Sequence, residues 1–141
     1  NFIHVAQPIL TPNIPEAEIL TGMQINNLKD MEKVGKEIIK LGASHVMWKG
    51  GHMKSRVMTD LLINSSEIYS IETSKIITNH THGTGCTMAT ALSASLAKSI
   101  DIRQSFEIAH KYVNNAIKTN PKFGRGNGPI NHCFNINEFI N

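Results

Sequence analysis

Apolar positions recur along the chain with two periods, and the periods predict its elements. Met31, Val34, Ile38 and Leu41 follow one another at spacings of three, four and three, which sets one buried stripe on a helix. Asn27 or Asp30 caps that helix and Gly42 ends it. A second stripe runs through Phe106, Ala109, Val113, Ala116 and Ile117, with Tyr112 beside it, and Pro121 closes the segment. Between the stripes, 45–48 reads as a short apolar strand, and 56–63 and 67–73 as two strands joined across Asn64, Ser65 and Ser66. Pro8 and Pro12 leave room only for a short strand near Ile9, and 16–20 reads as a brief helix stopped near Gly22. Helices alternating with short strands indicate an α/β domain with ligands at strand C-termini. The strands are too few for a complete doubly wound sheet, so the chain reads as part of a larger domain.

Composition narrows the classes. With 40% hydrophobic and 18% charged residues, the 141-residue chain suits a folded domain, not a disordered one. The net charge of +3 comes from scattered lysines and arginines with no long like-charged run, which argues against a nucleic-acid partner. No stretch approaches the roughly 20 apolar residues of a membrane span. Neither a signal sequence at the start nor a Cys-x-x-Cys unit is visible, and Cys86 and Cys133 do not suggest a structural disulfide. A cytoplasmic setting is the expectation.

The richest segment is Thr81-His82-Gly83-Thr84-Gly85-Cys86-Thr87, a glycine-punctuated turn opening into a helix of small residues, 88–97. First-turn amides of a helix lack intrahelical acceptors and, with the helix dipole, form an anion site. The amides of Thr84, Gly85, Cys86 and Thr87 are the candidates, with Gly83 supplying the backbone freedom. The lysine and spacing of a Walker A loop are missing. The other reading is a helix start whose glycines only permit tight packing. Cys86, at a helix N-terminus where the field favours thiolate, suits a proton acceptor or nucleophile, or else a small filler.

Two further segments have the same double character. Asn13 and Glu16 stand where a strand gives way to a helix, either to hold Mg²⁺-bound water or as a cap with an early glutamate. Lys49, Gly50, Gly51 and His52 follow a strand directly, either as a charge and close-approach backbone for phosphate or as a solvated turn. His80 and His82 have no third partner for zinc, and Met47 and Trp48 read as core.

Together the segments 11–18, 49–52, 81–87 and 124–132 resemble, in order and spacing, the C-terminal half of the hydroxymethylpyrimidine and phosphomethylpyrimidine kinases of thiamine biosynthesis, which belong to the ribokinase-like superfamily. The resemblance implies a three-layer α/β/α sandwich around a mainly parallel sheet. It also implies a phosphotransferase using ATP and Mg²⁺ on a small pyrimidine, 4-amino-5-hydroxymethyl-2-methylpyrimidine and then its monophosphate. Residues 83–86 correspond to the anion hole, with Cys86 as base, while Asn13 and Glu16 hold Mg²⁺ through water. Lys49 and Gly51 lie at the nucleotide phosphates, Thr87 beside them, and no chemical step falls to 124–132. Such kinases run to about twice this length, so an N-terminal half carrying the acceptor pocket is expected outside the chain, and the whole protein is expected to be a homodimer. The rivals are a pyridoxal or pyridoxine kinase, with a similar flat hydroxymethyl substrate, and a nucleotide-binding or partner-binding fragment without activity.

Overall fold

The stripe Met31, Val34 and Ile38 becomes the inner face of a helix laid on a sheet, and all three side chains are fully buried. In the computed structural model, which describes residues 2–50 and 56–136, the chain divides into two units, Asn1–Lys75 and Ile76–Asn141. The first contains helix α1 (Phe2–Ala6), strand β1 (Ile9–Leu10), helices α2 (Ile14–Thr21) and α3 (Leu28–Lys40), and strands β2 (His45–Trp48), β3 (Val57–Ile63) and β4 (Ile68–Ser74). Helix α1 had no counterpart in the sequence pattern. Asn27 caps α3, its Oδ1 accepting from the Asp30 amide at 3.0 Å, and Gly42, at φ 111°, follows its end. Leu41, the last member of the stripe, lies past the helix and is 36% exposed. A Cβ on Gly35 would stand 2.5 Å from Ile63 Cδ1 and 3.0 Å from Trp48 Nε1, so α3 lies against β2 and β3 with no room for a side chain there. Each of the large apolar side chains in this core contributes roughly 1.5–3 kcal/mol by leaving water.

The sheet corrects the expectation of a mainly parallel one. Its order is β1-β2-β3-β4, with β1 parallel to β2 but both remaining pairs antiparallel. The lengths of the connections explain this. Parallel neighbours require a crossover of about a dozen residues or more, and only β1 to β2, bridged by α2 and α3, has one. Residues 49–56 and 64–67 are too short, so the chain must turn back at each. At the second of these, Asn64 Oδ1 accepts from the amides of Ser66 and Glu67, both at 2.8 Å, and fixes the hairpin. Strand β3 is buried almost throughout, whereas Ser70, Glu72 and Ser74 of β4 are exposed, as an outer strand requires.

His45 opens β2 opposite Ile9. Burial pushes its imidazole below the ordinary 6.5, against a smaller upward pull from the Glu67 carboxylate. The unfolded chain therefore takes up the proton first as the pH falls. Stability is full above about pH 6.5 and declines as the pH drops toward the folded value. The urea midpoint is expected to be lower near pH 5 than near pH 7.5, with a shallower slope in His45→Asn. Equal slopes in the two proteins would remove His45 from the account.

The second unit is built on helices α4 (Thr84–Leu96) and α5 (Ile102–Lys118), which pack against each other. Asp101 caps α5, its Oδ1 accepting from the amides of Arg103 and Gln104 at 3.0 Å each. Phe106, Ala109, Val113, Ala116 and Ile117 are all buried, as their spacing predicts, together with Met88 and Leu92 of α4 and Ile130. Among the described residues, no helix is long and apolar enough to cross a membrane.

Candidate functional site

The turn before α4 has an open face. Gly83 is its N-cap, at φ 85° and ψ 1°, a left-handed conformation that costs any residue with a Cβ roughly 1–2 kcal/mol. No side chain caps the helix. The Thr84 amide points to Thr81 O at a long 3.3 Å, and the Thr87 amide closes the first helical bond to Gly83 O at 2.9 Å. Among the described residues nothing accepts from the amides of Gly83, Gly85 and Cys86. A Cβ built on Gly83 or Gly85 meets no atom within 4 Å, so no side chain or neighbouring segment crowds these two positions. The Cys86 thiol is free and exposed at the same place. Thr87 differs from its neighbours: its hydroxyl also donates to Gly83 O, at 2.8 Å, so both its donors hold the turn together.

Segment 124–132, which had no chemical step, is the back of this turn. His82 donates its amide to Gly128 O at 3.2 Å and pairs with Pro129 in a parallel bridge. Gly128 fits so closely that a Cβ would overlap the His80 ring and the Phe123 carbonyl. Asn131 donates its amide to Ala116 O at 2.9 Å, anchoring the segment to α5. Beside the turn lies an open groove of about 610 Å³, running from Cys86 past Thr90 and Ala94 to Lys98, with Tyr112 and His132 also on its wall. The Tyr112 hydroxyl donates to His132 O at 2.8 Å and its ring lies 5.0 Å from that of Phe134, so this wall is held in place.

The other candidates belong to the first unit. Asn13 and Glu16 form a reciprocal capping box at the start of α2. Glu16 donates its amide to Asn13 Oδ1 at 2.9 Å, while its carboxylate accepts from the Asn13 amide at 2.9 Å and from Asn13 Nδ2 at 2.7 Å. Both residues are exposed, and each carboxylate oxygen keeps acceptor capacity toward solvent. Among the described residues no cluster of three or more His, Cys, Asp or Glu occurs. A water-mediated hold on Mg²⁺, with phosphates as the remaining ligands, fits the donors present.

Lys49 follows β2 and is half-buried. Burial pushes its ammonium below the ordinary 10.5, and the negative charge of Asp60 opposes that shift. Gly50 donates its amide to Asp60 Oδ1 at 2.8 Å. Asp60 escaped the reading of the sequence, although an aspartate inside the apolar run Met58-Thr59-Asp60-Leu61-Leu62-Ile63 was a visible signal. Gly51 and His52 lie outside the described residues.

The sequence pattern of the family described as phosphomethylpyrimidine kinase matches residues 3–131. The chain belongs to that family. Its similarity to the hydroxymethylpyrimidine/phosphomethylpyrimidine kinase of Bacillus subtilis strain 168 is 48% identity over 124 residues, 87% of this chain and 46% of the relative. The chain thus spans about half the length of the curated relatives it matches. Among solved structures, the ADP complex of B. subtilis pyridoxal kinase superposes with a TM-score of 0.85 at 31% identity, covering 94% of this chain and 53% of that one. Phosphomethylpyrimidine kinase from Clostridium difficile 630 gives a TM-score of 0.65 at 34% identity, over 82% of this chain and 47% of that one. The fold is therefore α/β and ribokinase-like, with the mixed, mostly antiparallel sheet described above.

Proposed function

We propose that this protein transfers the γ-phosphoryl group of ATP to the hydroxymethyl oxygen of a small, flat nitrogen heterocycle. The observation that carries this reading is the turn at 83–86 in a member of this kinase family: three amides without acceptors among the described residues, two uncrowded glycines, and an exposed thiol alongside. Such donors favour charge that develops on a migrating phosphoryl group over charge already in place, which is how preorganised amides accelerate transfer. The acceptor oxygen forms a bond to the γ-phosphorus as the bond to the β–γ bridging oxygen breaks and ADP leaves. Cys86 Sγ, acting as thiolate, takes the acceptor's hydroxyl proton and becomes the thiol. Lys49 offers a positive charge to the nucleotide phosphates, and Asn13 and Glu16 orient metal-bound water. Mg²⁺, when bound, neutralises charge on the phosphate oxygens.

Two acceptors fit. The 48% identity to the B. subtilis hydroxymethylpyrimidine/phosphomethylpyrimidine kinase favours the pyrimidine. The better backbone agreement with pyridoxal kinase, 0.85 against 0.65, favours the pyridine. Measuring kcat/KM of the whole protein with each acceptor tests the assignment: the preferred heterocycle should exceed the other by at least about tenfold. ATP binding without transfer to either would overturn the kinase reading.

A further inference from the structure

We propose that Asp60 is a positioning residue that, through the Gly50 amide, fixes where the Lys49 ammonium stands. This rests on the reading that Lys49 meets the nucleotide phosphates. The register pairs Val46–Ile63, Met47–Leu62 and Trp48–Leu61. Continued two residues past the end of β2 it would set Lys49 opposite Asp60 and Gly50 opposite Thr59, as the closeness of Gly50 to the Thr59 backbone requires. Asp60 is only 2% exposed and its strand neighbours Met58, Leu61, Leu62 and Ile63 are buried and apolar. A carboxylate in such surroundings is costly unless it is hydrogen-bonded, and its Oδ1 takes the Gly50 amide at 2.8 Å. At the same point Gly50 lies so close to β3 that a Cβ would overlap the Thr59 carbonyl. One side of Gly50 is therefore pressed on Thr59 while its amide is tied to Asp60. Lys49, one residue earlier, inherits a fixed backbone at the end of β2, and the Asp60 charge lies near enough to be felt by its ammonium.

The experiment is a double-mutant cycle on the whole protein, reading KM for ATP and kcat separately. Lys49→Ala is expected to raise KM for ATP about tenfold, the effect of losing one charged contact. Asp60→Ala should raise it by a similar factor, and the double variant should be no worse than Lys49→Ala, because both changes remove the same interaction. Asp60→Asn, which keeps an oxygen for the Gly50 amide, should recover most of the loss. If Lys49→Ala raises KM while Asp60→Ala leaves it unchanged, or if the two effects multiply, Asp60 only supports the fold and the inference is wrong. If Lys49→Ala leaves KM unchanged, the reading of Lys49 fails and the inference goes with it. Should Asp60→Ala not fold, amide hydrogen exchange at Gly50 in the unmodified protein decides: slow exchange supports the tie, and exchange at the open-chain rate refutes it.

Discussion

Cys86→Ser in the whole protein is expected to lower kcat by about 10²- to 10⁴-fold, the usual share of a proton acceptor, while KM for ATP stays within about twofold. The two halves of that expectation come from different atoms. Nucleotide phosphate is assigned to the amides of Gly83, Gly85 and Cys86, and serine keeps the amide at 86 in the same helical turn. The proton is assigned to sulfur, and a serine hydroxyl is a far weaker acceptor near neutral pH. A coupled assay for ADP release gives kcat, and calorimetry with a non-hydrolysable nucleotide gives affinity. Unchanged turnover would remove Cys86 from the chemistry and leave it as an exposed side chain beside the turn. A parallel loss of affinity would show instead that the substitution had disturbed the amides.

Gly50→Ala is expected to be among the most destabilising single substitutions in the first unit, costing about 3 kcal/mol. The added methyl would have to displace the backbone carbonyl of Thr59, which is paired with Glu72 of β4 and cannot move away as a flexible side chain would. Gly85→Ala is the internal comparison. That position lies in the first turn of α4 with nothing within 4 Å of a built Cβ, so the substitution should be neutral or stabilise by up to about 1 kcal/mol. Chemical denaturation followed by far-UV circular dichroism measures both. Equal, small effects at the two positions would mean that Gly50 does not touch β3 as described.

Periodicity alone located most elements, because each buried stripe is long enough to repeat. Phe106 through Ile117 and Met31 through Ile38 are buried where their spacing placed them. The strand at His45–Trp48 and the hairpin at Asn64 were equally visible, the latter because a short polar tract between two apolar runs leaves the chain only one way to go. The direction of the sheet was misjudged from the resemblance, although the short connections already contradicted it. The glycine turn was legible as an open helix start, but which amides remain available was not. That depends on Thr87, whose amide and hydroxyl both turn inward to Gly83 O. Gly50 was read either as close-approach backbone for phosphate or as part of a solvated turn, and in the structure the backbone that approaches it is the chain's own Thr59. Close approach to a glycine looks the same in sequence whichever partner makes it. Asp60 was missed for a related reason: its partner is a main-chain amide ten residues earlier, and no side-chain motif announces such a bond.

The pairing of His82 with Gly128 and Pro129 has a temporal consequence. A ribosome releases residue 83 well before it releases residue 130, so the newly made helix start waits, unsupported, for chain that has not yet emerged. On the proposed reading, competence to hold phosphate is then acquired only after residue 130 has emerged, and a product terminated just after α5 would display the glycine signature without the segment that braces it.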